Sequence, residues 1–396
     1  MRIGVLTALN VNRFAGDTAR ILGLVEGLRN HDLEVVPMIP RGGNPEIARA
    51  FAPCHFLRVP MPSRPALRYA SLAVLSQYIV AAQIEHMTFD LIQFEGACAL
   101  PFSGLRRMMK REKVIFDMHS IVANELEPYL PPILRYPVSV LFRQAQEFAS
   151  HNAHCLVVSQ GMRRVILKRT AASADKIHIV PNGVNLGLAK ESMQKFRGAY
   201  AGFREQAEPL LVFVGSLEWI EGVDLIIDAL VILKRNLPSA KLVIAGTGTQ
   251  MQQLVLRAAR LHLRQSVVFC GQIRHEDTFA LQSVADILLV PARPLSVDGV
   301  EINAPLKIPA YMASGRPIVA SDVGDVCRTA RDMTEAVLVR DLSPQAFAQA
   351  IETLWSNKTL MEELTVNCSA RAEEYSWDRV TKRLIDIYSQ VMAERT

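Results

Sequence analysis

Two short segments in the second half of the chain carry residue types that can hold an anion. In Ala304-Pro305-Leu306-Lys307 a proline near a helix start leaves the N–H groups of the next residues without intrahelical partners. Those amides, the helix dipole and the Lys307 ammonium suit a diphosphate; the alternative is a solvated lysine on an ordinary helix. Gly215-Ser216 ends a strand-like run, and Glu221-Gly222 opens a helical one. A strand-to-helix turn of this kind presents amides to phosphate, or merely initiates a helix. Gly246-Thr247-Gly248 follows a third strand-like run, but Met251 stands where a dinucleotide fingerprint needs its third glycine. No acidic residue follows about twenty positions on, so hydride transfer is not expected. In the first half, His119 closes the run Val114–Met118, where an imidazole can donate to a hydroxyl or sit satisfied in the core. Asp17, between Gly16 and Thr18 at the start of a helical stretch, reads as an N-cap.

The elements that must position these groups alternate. Arg2–Leu9 is strand-like, 18–30 is helical with Ile21, Leu24, Val25 and Leu28 on one face, and Leu33–Ile39 is strand-like again. Strand, helix, strand is the mark of a parallel sheet. The pattern continues at Leu91–Phe94, Val114–Met118, Cys155–Ser159 and Ile177–Val180, then meets the turn Pro181-Asn182-Gly183. A second series runs from Leu210–Val214 through the strands Lys241–Ala245, Val267–Cys270, Ile287–Val290 and Pro317–Ala320, with helices between. The polar stretch from about Asn185 to Pro209 reads as a linker. The expected fold is therefore α/β, two doubly wound domains with ligand between them, since open parallel sheets bind beyond the carboxyl ends of their strands. The boundaries read as 1–188, 189–375 and a final helix at 376–396.

The chain has 396 residues, half of them hydrophobic and 21% charged. That suffices for two cores without metal or disulfide staples and excludes a disordered chain. The six cysteines form no CxxC pair and read as small buried residues in a reducing cytosol. His151 and His154 lack metal-ligand spacing, and neither metal nor cofactor is assigned. No signal peptide is read at the first residues, and the apolar stretch Tyr69–Ile84 is too short and too interrupted to span a membrane. Residues 1–190 hold 22 Lys and Arg against 14 Asp and Glu, whereas 191–396 hold 22 against 25. A basic half suits an anionic membrane surface, a phosphate-bearing ligand or nucleic acid. Within it, 104–113 carries Arg106, Arg107, Lys110 and Arg111 beside Leu105, Met108 and Met109, fit for anionic lipid or a solvated charged face. Nucleic-acid binding is not expected, for want of interleaved aromatics.

The segments Ile179–Val184 (IVPNGV), Val212–Leu230, Lys241–Gly248, Val267–Ile273, Ala304–Gly324 and Tyr375–Val380 (YSWDRV) resemble those of the retaining, family 4 nucleotide-sugar glycosyltransferases of GT-B fold. FDMHS at Phe116–Ser120 and VVSQGM at Val157–Met162 extend the resemblance more loosely into the first half. It implies two Rossmann-like domains facing a cleft, the last helix crossing back to the first. It also implies transfer from a nucleotide diphosphate sugar to a glycan or lipid-linked acceptor, as in cell-surface polysaccharide synthesis. Gly215, Ser216, Gly246, Gln272, Ile273, Glu301, Ala304, Pro305, Leu306 and Lys307 would hold the donor. His119 would line the cleft near the transferred sugar, and Gly16, Asp17, Asn124 and Glu125 would lie near phosphate or acceptor. Such an enzyme would be cytoplasmic, at the inner face of the membrane if the basic helix docks there. The chain departs from the family at Ser216 and Glu221, where an arginine and a lysine are usual, and at Ala310, where a ribose-binding glutamate is. The first family glutamate falls near Ile302, with Glu301 one place early. These departures leave open a non-catalytic protein of the same fold, binding a glycan or a partner transferase.

Overall fold

The computed structural model describes residues 1–7, 16–40, 45–58, 83, 86–95, 113–119 and 131–394. The chain divides into two compact units, Met1–Pro181 with Trp377–Thr396, and Asn182–Ser376.

The first unit is built on seven parallel strands: β1 (Arg2–Thr7), β2 (Glu34–Pro40), β3 (His55–Leu57), β4 (Leu91–Glu95), β5 (Lys113–Met118), β6 (His154–Val157) and β7 (Ile177–Ile179). Their order is β3-β2-β1-β4-β5-β6-β7, so the winding reverses between β1 and β4. Among the described residues up to Pro181 the helices are α1 (Gly16–Arg29), α2 (Pro45–Ala50), α3 (Pro132–Asn152) and α4 (Gln160–Arg169). The strands read as apolar runs because both faces of the sheet are covered. Ile21, Leu24, Val25 and Leu28 of α1 pack on Ile3, Val5, Leu91 and Ile115, and on Trp377, Val380, Leu384 and Tyr388 of the C-terminal helix. Two glycines let those helices touch: a methyl at Gly23 would stand 2.0 Å from the Trp377 ring, and one at Gly27 2.6 Å from Thr381.

The second unit begins with α5 (Leu186–Glu205), a 20-residue helix where the sequence suggested a linker. Its polar composition hid an apolar stripe. Leu186, Leu188, Ala189 and Met193 pack with Phe279, while Tyr200 and Phe203 meet the main core. Asn185 caps the helix, its side-chain oxygen accepting from the Leu188 amide. Six parallel strands follow: β8 (Leu210–Val214), β9 (Lys241–Ala245), β10 (Val267–Gly271), β11 (Ile287–Val290), β14 (Ile318–Ser321) and β15 (Ala336–Val339), in the order β10-β9-β8-β11-β14-β15. The small antiparallel pair β12 (Ser296–Val297) and β13 (Val300–Glu301) interrupts the alternation. The helices are α6 (Val223–Leu233), α7 (Met251–Arg260), α8 (His275–Val284), α9 (Lys307–Ala313), α10 (Val326–Thr329), α11 (Pro344–Ser356) and α12 (Lys358–Glu374), and α13 (Trp377–Ala393) is the C-terminal helix of the first unit. Along β8 the pleat sends Leu211 and Phe213 into the layer under α6, α7 and α11, and Leu210 and Val212 into the layer under α8, α9 and α12. Both units are thus doubly wound, as expected, with reversals at β1/β4 and β8/β11.

Among the described residues no helix is long and apolar enough to cross a membrane. Residues 104–112, with Arg106, Arg107, Lys110 and Arg111, lie outside the described residues, as do Asn124 and Glu125. Lys113, read as the end of that basic segment, begins β5.

Candidate functional site

In the second unit the loops at the carboxyl ends of β8, β9 and β10 are tied together. The Gly215 amide donates to the Ala245 carbonyl at 3.0 Å, Leu217 to Thr247 at 3.0 Å and Gly246 to Gly271 at 2.7 Å. Gly246 has φ 142°, and a side chain there would meet the Gly215 carbonyl oxygen at 1.8 Å. Its glycine is therefore required by loop-on-loop packing, whatever ligand the loop meets. Gln272 is exposed beyond this seam, while Ile273 turns back onto the core.

Lys307, the first residue of α9, reaches this seam. A methyl on Gly215 would stand 2.8 Å from its Nζ, and the ammonium lies over the Phe213 ring, 4.3 Å from the centroid. Tyr311, one turn further along, accepts from the Val214 amide at 2.8 Å and faces the Val214 carbonyl at 3.2 Å, bolting α9 to the end of β8. Burial raises the pKa of the Tyr311 phenol, so it stays a neutral hydroxyl there. From the other side, the Asn182 amide of the PNGV segment donates to the Ala304 carbonyl at 3.1 Å, fixing the approach to Pro305.

Glu221, which stands where the resemblance gives a lysine, pairs its carboxylate with Lys307 Nζ. Its other oxygen accepts from Ser216 Oγ at 3.2 Å. The carboxylate thus fills the place at the ammonium that an incoming anion would take. Glu301, read as a donor-binding residue, accepts from the Gly324 amide at 2.7 Å, while Ile302 is buried. Ala310 packs on the apolar cluster of Val184, Ala189 and Phe279.

Sequence reasoning missed two groups that shape this region. Arg293, just after β11, forms a bidentate pair with Asp224 at 2.8 and 2.7 Å. Asn303 is buried, accepts from the Leu295 amide at 2.7 Å and donates to the Arg293 carbonyl at 2.8 Å. A lone polar residue just before Ala304-Pro305 was the available signal for Asn303.

In the first unit, His119 follows β5 beside three acidic or basic side chains that the sequence reading did not select. Parallel register sets Glu95 beside Asp117, and both are buried. Two carboxylates side by side are costly; Arg20 of α1 offsets one charge. Its Nε and Nη2 donate to Asp117 Oδ2 at 3.2 and 2.9 Å, and it also donates to the Val180 and Pro181 carbonyls. His119 Nδ1 lies 3.7 Å from Glu95 Oε2 and 3.9 Å from Asp117 Oδ1. Gln93, two residues before Glu95 and on the same face, donates to Glu95 Oε1 at 2.5 Å, and the Tyr388 hydroxyl donates to Gln93 Oε1. The signal was three polar residues inside otherwise apolar strands. Gly16 and Asp17 begin α1, but their side chains lie outside the described set, so the N-cap reading does too.

Comparison with known proteins agrees across both units. Residues 16–188 match the family described as Glycosyltransferase Family 4, and residues 208–357 that described as Glycosyl transferases group 1. An uncharacterized glycosyltransferase of Methanocaldococcus jannaschii is 27% identical over 63% of this chain and 63% of its own. The D-inositol 3-phosphate glycosyltransferase of Nocardia farcinica is 26% identical over 77% of this chain and 67% of its own. The chain therefore spans about two thirds of those relatives. Anabaena Alr3699/HepE, solved in complex with UDP-glucose, shares the fold, with TM-score 0.73 and 16% identity over 98% of this chain and all of that one.

Proposed function

Because the chain belongs to the family 4 and group 1 glycosyltransferases, we propose that it transfers a sugar, with retention, from a nucleotide diphosphate sugar to a glycan or lipid-linked hydroxyl in cell-surface glycoconjugate synthesis. One observation carries the reading. The Lys307 ammonium, at the start of α9, stands at the Gly215 turn, beside the point where the second sheet reverses, and that is where such sheets bind ligands. The bond from the anomeric carbon to the diphosphate oxygen breaks, and that oxygen keeps the electron pair. Amides of Leu306 and Lys307 and the Lys307 ammonium stabilise it. An oxocarbenium-like sugar is captured by the acceptor hydroxyl, whose proton passes to the departing diphosphate. Gly246, Gln272 and Ile273 serve the nucleotide through backbone groups, and Glu301 contacts the donor once it releases Gly324. His119 meets a hydroxyl of the sugar. The charge at the diphosphate falls to Lys307, so no metal is required, and turnover is expected to survive chelation by EDTA.

The test is turnover of a panel of nucleotide sugars, UDP-glucose first because a protein of the same fold binds it. Calorimetry with UDP, GDP and ADP accompanies it. Transfer from none, with no nucleotide bound, overturns the reading. The contact of Glu221 with Lys307 favours a second one, a non-catalytic protein that binds a glycan or partner transferase; glycan affinity without nucleotide affinity distinguishes it.

A further inference from the structure

We infer that Tyr388 and Gln93 form a hydrogen-bond chain that places the Glu95 carboxylate facing His119 Nδ1, and that this charge holds the neutral ring in the tautomer protonated on Nδ1, making all three positioning residues for that histidine. The inference rests on the reading of His119 as the group that meets the sugar.

The chain starts on the C-terminal helix. The Tyr388 hydroxyl is fully buried. Burial, then the charges of Glu95 and Asp117, push its pKa well above the ordinary value, against the opposing pull of Arg20. It therefore keeps its proton and donates it to Gln93 Oε1. That bond sets the orientation of the Gln93 amide, because an amide has one accepting end and one donating end. The donating end faces Glu95 Oε1. Reversing the amide would set its oxygen against a carboxylate, two acceptors in contact, so both ends of the chain demand the same orientation.

Glu95, an acceptor at both oxygens, is fixed in place by the Gln93 amide. One oxygen is engaged by Gln93, and the other faces His119 Nδ1 at 3.7 Å, with Asp117 Oδ1 at 3.9 Å. Asp117 is otherwise committed to Arg20 through Oδ2. An Nδ1 lone pair aimed between two carboxylate oxygens is repelled, while an Nδ1–H is attracted. The neutral ring then carries its lone pair on Nε2. His119 accepts a hydrogen bond from a sugar hydroxyl, the reverse of the donor role expected from the sequence. Gln93 and Glu95 share one face because β-strand side chains alternate, and β4 pairs with β5 in the register that sets Glu95 beside Asp117. Tyr388 reaches them because the two α1 glycines let the C-terminal helix settle close.

The experiment uses the full chain, ¹⁵N-labelled at histidine, and long-range ¹H–¹⁵N correlation spectra recorded over a pH series up to the point where the His119 pattern is that of the neutral imidazole. Loss of one ring pattern in His119→Gln assigns the signal among the nine histidines. The neutral wild-type ring is expected to carry its proton on Nδ1. The near-isosteric Glu95→Gln removes the facing charge and is expected to give a mixture of tautomers, and Tyr388→Phe, which loosens the carboxylate, a smaller shift the same way, both with the circular dichroism spectrum kept. On the donor that the turnover panel identifies, each is expected to lower kcat about tenfold, the low end for partners that orient a functional histidine, with the donor KM unchanged. A neutral wild-type ring protonated on Nε2 overturns the inference. So does an unchanged tautomer in both variants, even if kcat falls, because that is a structural effect only. If the tautomer shifts as expected but His119→Gln turns over like wild type, the orientation stands and the reading of His119 as sugar-contacting fails.

Discussion

Lys307 and Glu221 are one electrostatic unit in which each side chain is largely buried, 12% and 21% exposed. The ammonium also rests on the Phe213 ring, so it is held in place before any anion arrives. Lys307→Ala is expected to weaken nucleotide binding about tenfold to a hundredfold, roughly 1.4–2.8 kcal/mol, read by calorimetry. Glu221→Gln removes the competing carboxylate and keeps the hydrogen bond from Ser216. It is expected to tighten binding about threefold to tenfold, since an anion then meets an ammonium with no internal partner. A lysine restored at that position, Glu221→Lys, should tighten it further. Weaker binding in Glu221→Gln would mean the carboxylate contacts the donor rather than excludes it.

Among the elements, the seam between the β8 and β9 loops tolerates no side chain at Gly246. Gly246→Ala meets a backbone oxygen and a φ that L-residues rarely adopt, and is expected to cost about 3 kcal/mol or more in urea denaturation of the second unit. Strand β7 supplies a pH response. Burial lowers the His178 pKa, and the adjacent His154 ring lowers it further, against the smaller effects of Asp175 and Glu394. Burial likewise lowers that of His275 on α8. A native pKa below the unfolded value of 6.5 means that the folded state prefers the neutral ring. The stability it confers is whole above about pH 6.5 and is lost as pH falls through the lowered native values. Melting temperature is expected to drop between about pH 7.5 and about pH 5, and less steeply in His178→Gln. An equal slope in the variant would assign the loss to other groups.

At the scale of the whole molecule, the first unit is assembled from both ends of the chain. Trp377, Val380, Leu384, Tyr388 and Val391 complete its core. Five buried side chains at about 1.5–3 kcal/mol each exceed half the stability of a typical domain. A chain ending at Ser376 is therefore expected to lose the first unit's cooperative unfolding transition and keep that of the second, as seen by calorimetry. Retention of both transitions would show that the sheet stands without the helix. The binding of a nucleotide at about a hundred times its Kd should raise the second unit's stability by about 2.7 kcal/mol and leave the first unit's transition in place.

The amino-acid sequence by itself determined the strand–helix alternation, both doubly wound sheets and the family. Apolar runs, helical stripes and turn glycines are local signals, readable without neighbours. The segment from Ala304 to Lys307 was legible for the same reason, a proline and a lysine at a helix start. The sequence did not determine α5, whose apolar stripe is sparse and meaningful only against Phe279 and the core. Nor did it determine the partner of Glu221, 86 positions from Lys307, or the side chains behind His119. Tyr388 and Gln93 are 295 residues apart, and buried polar groups find partners through packing across elements, not through spacing along the chain. Only the tertiary structure brings those charges and hydroxyls together, and their mutual desolvation decides which of them can act.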